Sequence, residues 1–243
     1  MTGLDTKSLD QLVEKLKQAA GANLSSVVLY GSAAGGHYQP KHSDLNVLCT
    51  LDHLDGPALE SLRPALLWWT GKGNPHILMF TMDELRCSAD VFAIELLDIK
   101  ARHKVLYGED CFAGLEVPMD LHRVELEHEL RTKLIRLRQA YMEVSGDSAR
   151  LLALLTDSVS SFLTLFRHAL IALGEPVPEH RHEVLDKLSA RFQVDVSPFH
   201  VVLEIREGKR RAKEIDALAV GRTYLESVRL VADEVDRCPV RVK

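Results

Sequence analysis

Two short runs within the first fifty residues pair the residue types needed to hold a phosphorylated ligand: Tyr30-Gly31-Ser32 and, beyond a ten-residue interval, Ser43-Asp44-Leu45-Asn46. Glycine at the end of a strand lets backbone N–H groups come close to a phosphate, and the Ser32 hydroxyl adds a donor. Asp44 and Asn46 are two positions apart, so on an extended chain both side chains point to one face. That face can meet the phosphate itself or a metal ion bound to it.

The surrounding sequence supplies the elements that would position these groups. Leu9, Leu12, Val13, Leu16 and Ala19 recur at helical spacing and stop at Gly21, which predicts an amphipathic helix. Ser26 to Tyr30, with Val27-Val28-Leu29 at its centre, reads as a buried strand feeding the turn at Gly31-Ser32. Gly35, Gly36 and Pro40 mark Ala33 to Ser43 as a loop, and Leu45 to Leu51 reads as a second buried strand. Pro57 opens a helix that carries Leu59, Leu62, Leu66 and Trp69 and ends near Gly71. A third strand is predicted over His76 to Thr81, and Thr81 with Glu84 forms a capping box for a short helix. Phe92 to Tyr107 fits strand and helix equally well, and Gly108 closes it as a turn.

Beyond Pro118 the pattern becomes purely helical. Leu126, Leu130, Leu134, Leu137 and Tyr141 line one face of a long helix, and 151–173 is apolar nearly all round, as in a buried bundle helix. Shorter helices at about 180–192 and 198–207 precede a last long one over 215–235. The expected architecture is an α/β (α+β) N-terminal domain with a short mixed sheet over residues 1–117, then an all-α helical bundle over 118–243.

Composition bounds the function classes. With 46% hydrophobic and 27% charged residues, the chain has the make-up of a globular protein. Residues 1–118 hold 10 Lys+Arg against 15 Asp+Glu and the remainder hold 20 against 20, so neither half is a basic surface for a long nucleic acid. The expected partners are a small anionic ligand at one local site and no membrane. The first thirty residues carry scattered charges, not a basic segment leading into an apolar one, which is the expectation for a cytoplasmic protein. Cys49, Cys87, Cys111 and Cys238 show no C-x-x-C pairing, so a zinc ribbon is not expected and free thiols are.

The run from strand through Gly31-Ser32 and a glycine-rich loop to Ser43-Asp44 resembles the nucleotidyltransferase superfamily that includes DNA polymerase β and the aminoglycoside nucleotidyltransferases. In that family a G-S motif ends the first strand, and two aspartates in a D-x-D on the next hold magnesium on the triphosphate. A third acid on a later strand completes the site and can activate the acceptor hydroxyl. The resemblance implies that Gly31, Ser32 and Ser43 bind nucleotide, that Asp44 and Asn46 occupy the catalytic positions, and that Asp44 is the metal ligand for Mg2+. It implies transfer of a nucleoside monophosphate from a nucleoside triphosphate to a hydroxyl of a small molecule or protein. The alternative is a catalytically inactive nucleotide-binding or protein-interaction module of the same fold. The helical second domain is similar to the bundles called HEPN domains, and its apolar character is also that of a homodimer surface.

The sequence departs from the family pattern twice. Asn46 stands where the second metal aspartate is expected, and the third strand, His76-Ile-Leu-Met-Phe80, offers no carboxylate. Glu95 and Asp98 sit inside an apolar run and are candidates to line the site, or else to pair with Lys100, Arg102 or Lys104. His37, Lys41 and His42 flank the glycine loop and could contact phosphate or base. Lys209, Arg210, Arg211 and Lys213 form a dense basic cluster, read as a solvated loop or as a phosphate site. HEPN ribonucleases place a histidine a few residues after an arginine on one helix. Neither Arg167-His168 nor Arg191 and His200 has that spacing, so ribonuclease activity is not expected. Gly35-Gly36 lacks the lysine and the strand-to-helix setting of a Walker loop.

Overall fold

The computed structural model describes residues 5–35 and 44–238. The chain divides into two compact units, Met1–Pro118 and Met119–Lys243.

In the first unit, α1 (Thr6–Ala20) begins at Asp5, whose carboxylate accepts the Ser8 N–H at 3.0 Å and satisfies a donor the first turn leaves open. It ends at Gly21, whose φ of 56° suits glycine. β1 (Leu24–Tyr30) follows, then β2 (Asn46–Leu51), α2 (Gly56–Thr70), β3 (Leu78–Thr81), α3 (Met82–Cys87), α4 (Ala93–Ala101) and β4 (His103–Gly108). The sheet order is β3-β2-β1-β4. β1 runs antiparallel to both neighbours, and β2 and β3 are parallel, joined through α2. A short mixed sheet with helices therefore makes up this unit.

β1 lies between two strands with a packed layer on each face, which is why its centre is apolar without alternation. Val27 and Leu29 join Leu12 and Leu16 of α1 and Leu62 and Trp69 of α2 in one core. Val28 and Leu48 face the opposite way, onto Leu85, Leu96, Ile99 and Phe112. The ends of the strands differ from the sequence reading. β1 starts two residues earlier than Ser26, and β3 starts at Leu78, two residues later than His76.

The ambiguous segment from Phe92 to Tyr107 is both kinds of element in succession. α4 buries Ala93, Ile94, Leu96 and Ile99 on one side, and the chain then turns at Arg102 into β4, which pairs along β1. Gly108 ends that strand with φ 74°, and a Cβ placed there would lie 1.9 Å from the Ser25 carbonyl oxygen, so no other residue fits without moving β1.

The second unit is helical throughout its described residues: α5 (His122–Val144), α6 (Ser148–Ala172), α7 (Arg181–Phe192), α8 (Ser197–Arg206) and α9 (Ala217–Arg237). α6 carries most of the core, with Leu151, Leu155, Val159, Phe162, Phe166 and Leu170 buried. By length and composition α6 could cross a bilayer, but 44% of its most apolar stretch is buried inside the unit, where Phe166 meets Phe199 edge-on at 4.9 Å. Asp147 and Asp216 cap α6 and α9 through their first backbone N–H groups. One polar pair is sealed into this core. His122 and His168 are both fully buried and share a hydrogen bond of 2.8 Å between His122 Nε2 and His168 Nδ1.

Candidate functional site

Gly31, Ser32 and Ala33 form a single 3-10 turn directly after β1, and Gly31 takes φ 78°, a left-handed backbone that a side chain disfavours. The Gly31 carbonyl accepts the N–H groups of Ala34 and Gly35, both at 3.1 Å. The Gly31 N–H is not open to a ligand, because it donates to the Arg102 carbonyl at 3.2 Å. Gly31 therefore contributes backbone shape, and the N–H groups the turn itself leaves without an acceptor are those of Ser32 and Ala33.

Asn46 is the first residue of β2 and pairs with Tyr30, so the sheet register sets it beside the turn. A Cβ at Gly31 would lie 3.4 Å from the Asn46 side-chain nitrogen. Asp44 precedes the strand and is exposed, Leu45 is buried and Asn46 is half-buried, an alternation that continues the strand pattern backward by two residues. Tertiary pairing thus brings Gly31 and Asn46 together, with Asp44 next along the chain. Ser43, His37, Lys41 and His42 lie outside the described residues.

Arg102 is the residue that sequence reasoning gave another role. The sequence offers it only as one of three possible partners, with Lys100 and Lys104, for Glu95 or Asp98. Instead it caps α4, its carbonyl holds Gly31, and its side-chain stem runs across the turn: a Cβ at Gly35 would lie 3.3 Å from Arg102 Cδ and 3.9 Å from Cγ. Among the described residues no carboxylate forms an ion pair with its guanidinium. The signal that could have exposed it was a lone arginine at the junction of the ambiguous segment, but only pairing of β4 with β1 puts it beside Gly31.

The remaining acids are placed by α3 and α4. Glu95 is exposed in the first turn of α4, where a negative charge suits the helix dipole. Asp98 is half-buried on the same helix and its carbonyl accepts the Arg102 N–H. Lys100 bonds the Leu115 carbonyl. Glu84, the first glutamate after the third strand, is spent on the capping box, accepting the Thr81 N–H at 2.8 Å.

His103, next to Arg102, faces oxygens on both ring nitrogens: Nδ1 lies 3.1 Å from the Lys100 carbonyl and Nε2 lies 3.0 Å from Asp110. Both ring nitrogens are thus engaged locally, and the contact with Asp110 fastens β4 to the following turn. A shallow depression of about 490 Å³ lies over Asp10, Glu14, Lys15 and Trp68, and none of the candidate phosphate-binding residues lines it.

Three of the four cations in the basic cluster of the second unit are paired locally. Lys209 meets Glu207 at 2.6 Å, Arg210 meets Glu204 at 2.6 Å, and Arg211 pairs with Glu214. The bond from Lys209 holds the Glu207 carboxyl below its usual range. The segment between α8 and α9 is thus a solvated, charge-paired connection.

The donor set tests the expected magnesium. Among the described residues no group of three His, Cys, Asp or Glu side chains converges on one point. One carboxylate, Asp44, and one neutral amide oxygen, from Asn46, do not fit a resident pair of metal ions. They could supply only part of the shell of a single ion, whose other ligands would have to come from a bound anion and water.

Against solved structures, the chain matches spectinomycin adenyltransferase from Enterococcus faecialis, a structure with ATP and spectinomycin, at a TM-score of 0.59 over 95% of this chain and 99% of that one. The fold is nucleotidyltransferase-like. Sequence identity is 14%, so the likeness is one of fold. No protein-family model matches the chain, and no curated protein matches it by sequence.

Proposed function

We propose that this nucleotidyltransferase-like chain binds a nucleoside triphosphate at the Gly31–Ala33 turn and transfers its nucleoside monophosphate to a hydroxyl of a small molecule. The observation that carries the reading is the contact of the Gly31 turn with Asn46, in a chain whose fold matches a spectinomycin adenyltransferase over nearly its whole length. In this reading Gly31 shapes the turn, the Ser32 hydroxyl and the Ser32 and Ala33 N–H groups hold the β- and γ-phosphates, and Asn46 orients the phosphate beside them. Asp44 would hold magnesium, which supplies charge neutralisation when bound with the triphosphate. The acceptor hydroxyl gives its proton to solvent as its oxygen attacks the α-phosphorus in line, the bond to the bridging oxygen breaks, and pyrophosphate leaves. Positioning and charge neutralisation lower the barrier.

A second reading is a module that binds nucleotide without turning it over. The donor set favours it, since among the described residues the first glutamate after the third strand, Glu84, is committed to its capping box, and Glu95 is solvent-exposed on α4.

Calorimetric titration with ATP, CTP and GTP, with and without magnesium, tests both readings. The enzyme reading expects magnesium-assisted binding and pyrophosphate release with an acceptor aminoglycoside, both lost in Asp44→Ala. The module expects binding that depends little on magnesium and no turnover. Absence of binding to any triphosphate rejects both.

A further inference from the structure

Asn46 leaves the site one negative charge short of the usual acid pair, which lowers its hold on a metal ion but also lowers its repulsion of phosphate. A triphosphate carries several negative charges that something must neutralise. Arg102 is placed for that work by three separate observations. Its carbonyl receives the Gly31 N–H at 3.2 Å, which ties it to the turn. Its Cδ and Cγ lie over Gly35, 3.3 and 3.9 Å from where a Cβ would begin, so the stem follows the turn. The residue is half-buried, and its guanidinium makes no ion pair with a carboxylate among the described residues, in a chain where many other arginines are paired.

We propose that Arg102 binds the polyphosphate of the nucleotide held at the Gly31–Gly35 turn, supplying positive charge that a second metal ion would otherwise bring. This rests on the nucleotide-binding reading above and adds a residue and a charge balance to it. A guanidinium presents two parallel N–H donors to a phosphate, which a lysine cannot match, so the side chain confers geometry as well as charge. The backbone bond to Gly31 is made by the Arg102 carbonyl and survives any change of its side chain. Loss of the guanidinium therefore removes the phosphate contact and leaves the turn in place.

The test is calorimetric titration of ATP and of inorganic tripolyphosphate into the whole chain, in excess EDTA and in magnesium, for the wild type, Arg102→Gln and Arg102→Lys, with thermal melts run alongside. Without metal, the wild type should bind both ligands and Arg102→Gln should bind them about tenfold or more weakly, as expected for loss of a charged hydrogen bond. Arg102→Lys should recover part of that loss, and all three proteins should melt within a few degrees of one another. Wild-type binding that Arg102→Gln leaves unchanged overturns the role of Arg102 while keeping the nucleotide site. A wild type that binds neither ligand under either condition overturns the nucleotide site itself.

Discussion

Asn46 stands against the bare Cα of Gly31, its side-chain nitrogen 3.4 Å from where a Cβ would begin, because Tyr30 and Asn46 are partners across β1 and β2. Strand pairing therefore welds the turn and the first residue of β2 into one unit, and changes on either side of the contact should be felt on the other.

Gly31→Ala should be costly. At φ 78° an alanine is strained by roughly 1–2 kcal/mol, and its methyl would sit 3.4 Å from the Asn46 side-chain nitrogen, filling the space between them. A thermal melt should show the first unit weakened by several degrees, and triphosphate titration should show weaker binding. A variant that melts and binds like the wild type would remove the turn from the site.

Asn46→Asp should shift the balance toward metal. A second carboxylate beside Asp44 repels free triphosphate, with a like-charge interaction on the order of 4 kcal/mol at close range near a protein surface, and gives magnesium a second anionic ligand. The ratio of affinities with and without magnesium should rise about tenfold or more. If magnesium has the same effect on both proteins, Asn46 does not face the phosphate-metal site.

Acid should destabilise the helical unit through His122. Burial, then the neighbouring His168, lowers the His122 pKa from 6.5 to about 4. The unfolded chain thus takes up a proton at higher pH than the fold does, so stability is complete above about 6.5, falls as pH drops through the interval, and levels off below about 4. The loss is on the order of 3 kcal/mol. Urea midpoints measured between about pH 4 and pH 8 should show this slope in the wild type. The double variant His122→Leu/His168→Leu should flatten it, and an equal slope in both would assign the acid sensitivity elsewhere.

Thiol labelling should separate the cysteines. Burial pushes Cys49 up to about 12 and Cys111 up to about 11, so almost no thiolate forms at either near neutral pH, while Cys87 is exposed. An aromatic disulfide reagent should modify Cys87 quickly and reach Cys49 and Cys111 only after denaturant is added. Rapid labelling of either buried thiol in the native protein would contradict the packing of β2 or of the segment after β4.

Local physics made much of this protein legible from its residues alone. Helical spacing of Leu9, Leu12 and Leu16, the Thr81–Glu84 capping box, the glycine stops and the apolar run of β1 each depend on neighbours a few positions away, so one sequence suffices to read them. The helical character beyond Pro118 was legible for the same reason. Phe92 to Tyr107 was not, because a short apolar run satisfies helix and strand equally, and what decides is the partner: α4 packs under the sheet, while 103–108 finds the open edge of β1. The same long-range pairing placed Asn46 on Gly31 and drew Arg102 to the turn. Those contacts join residues 15 to 71 positions apart, and no local preference specifies them. They exist because β1 must bury both faces and satisfy hydrogen bonds on both edges, and only the assembled sheet meets both demands at once.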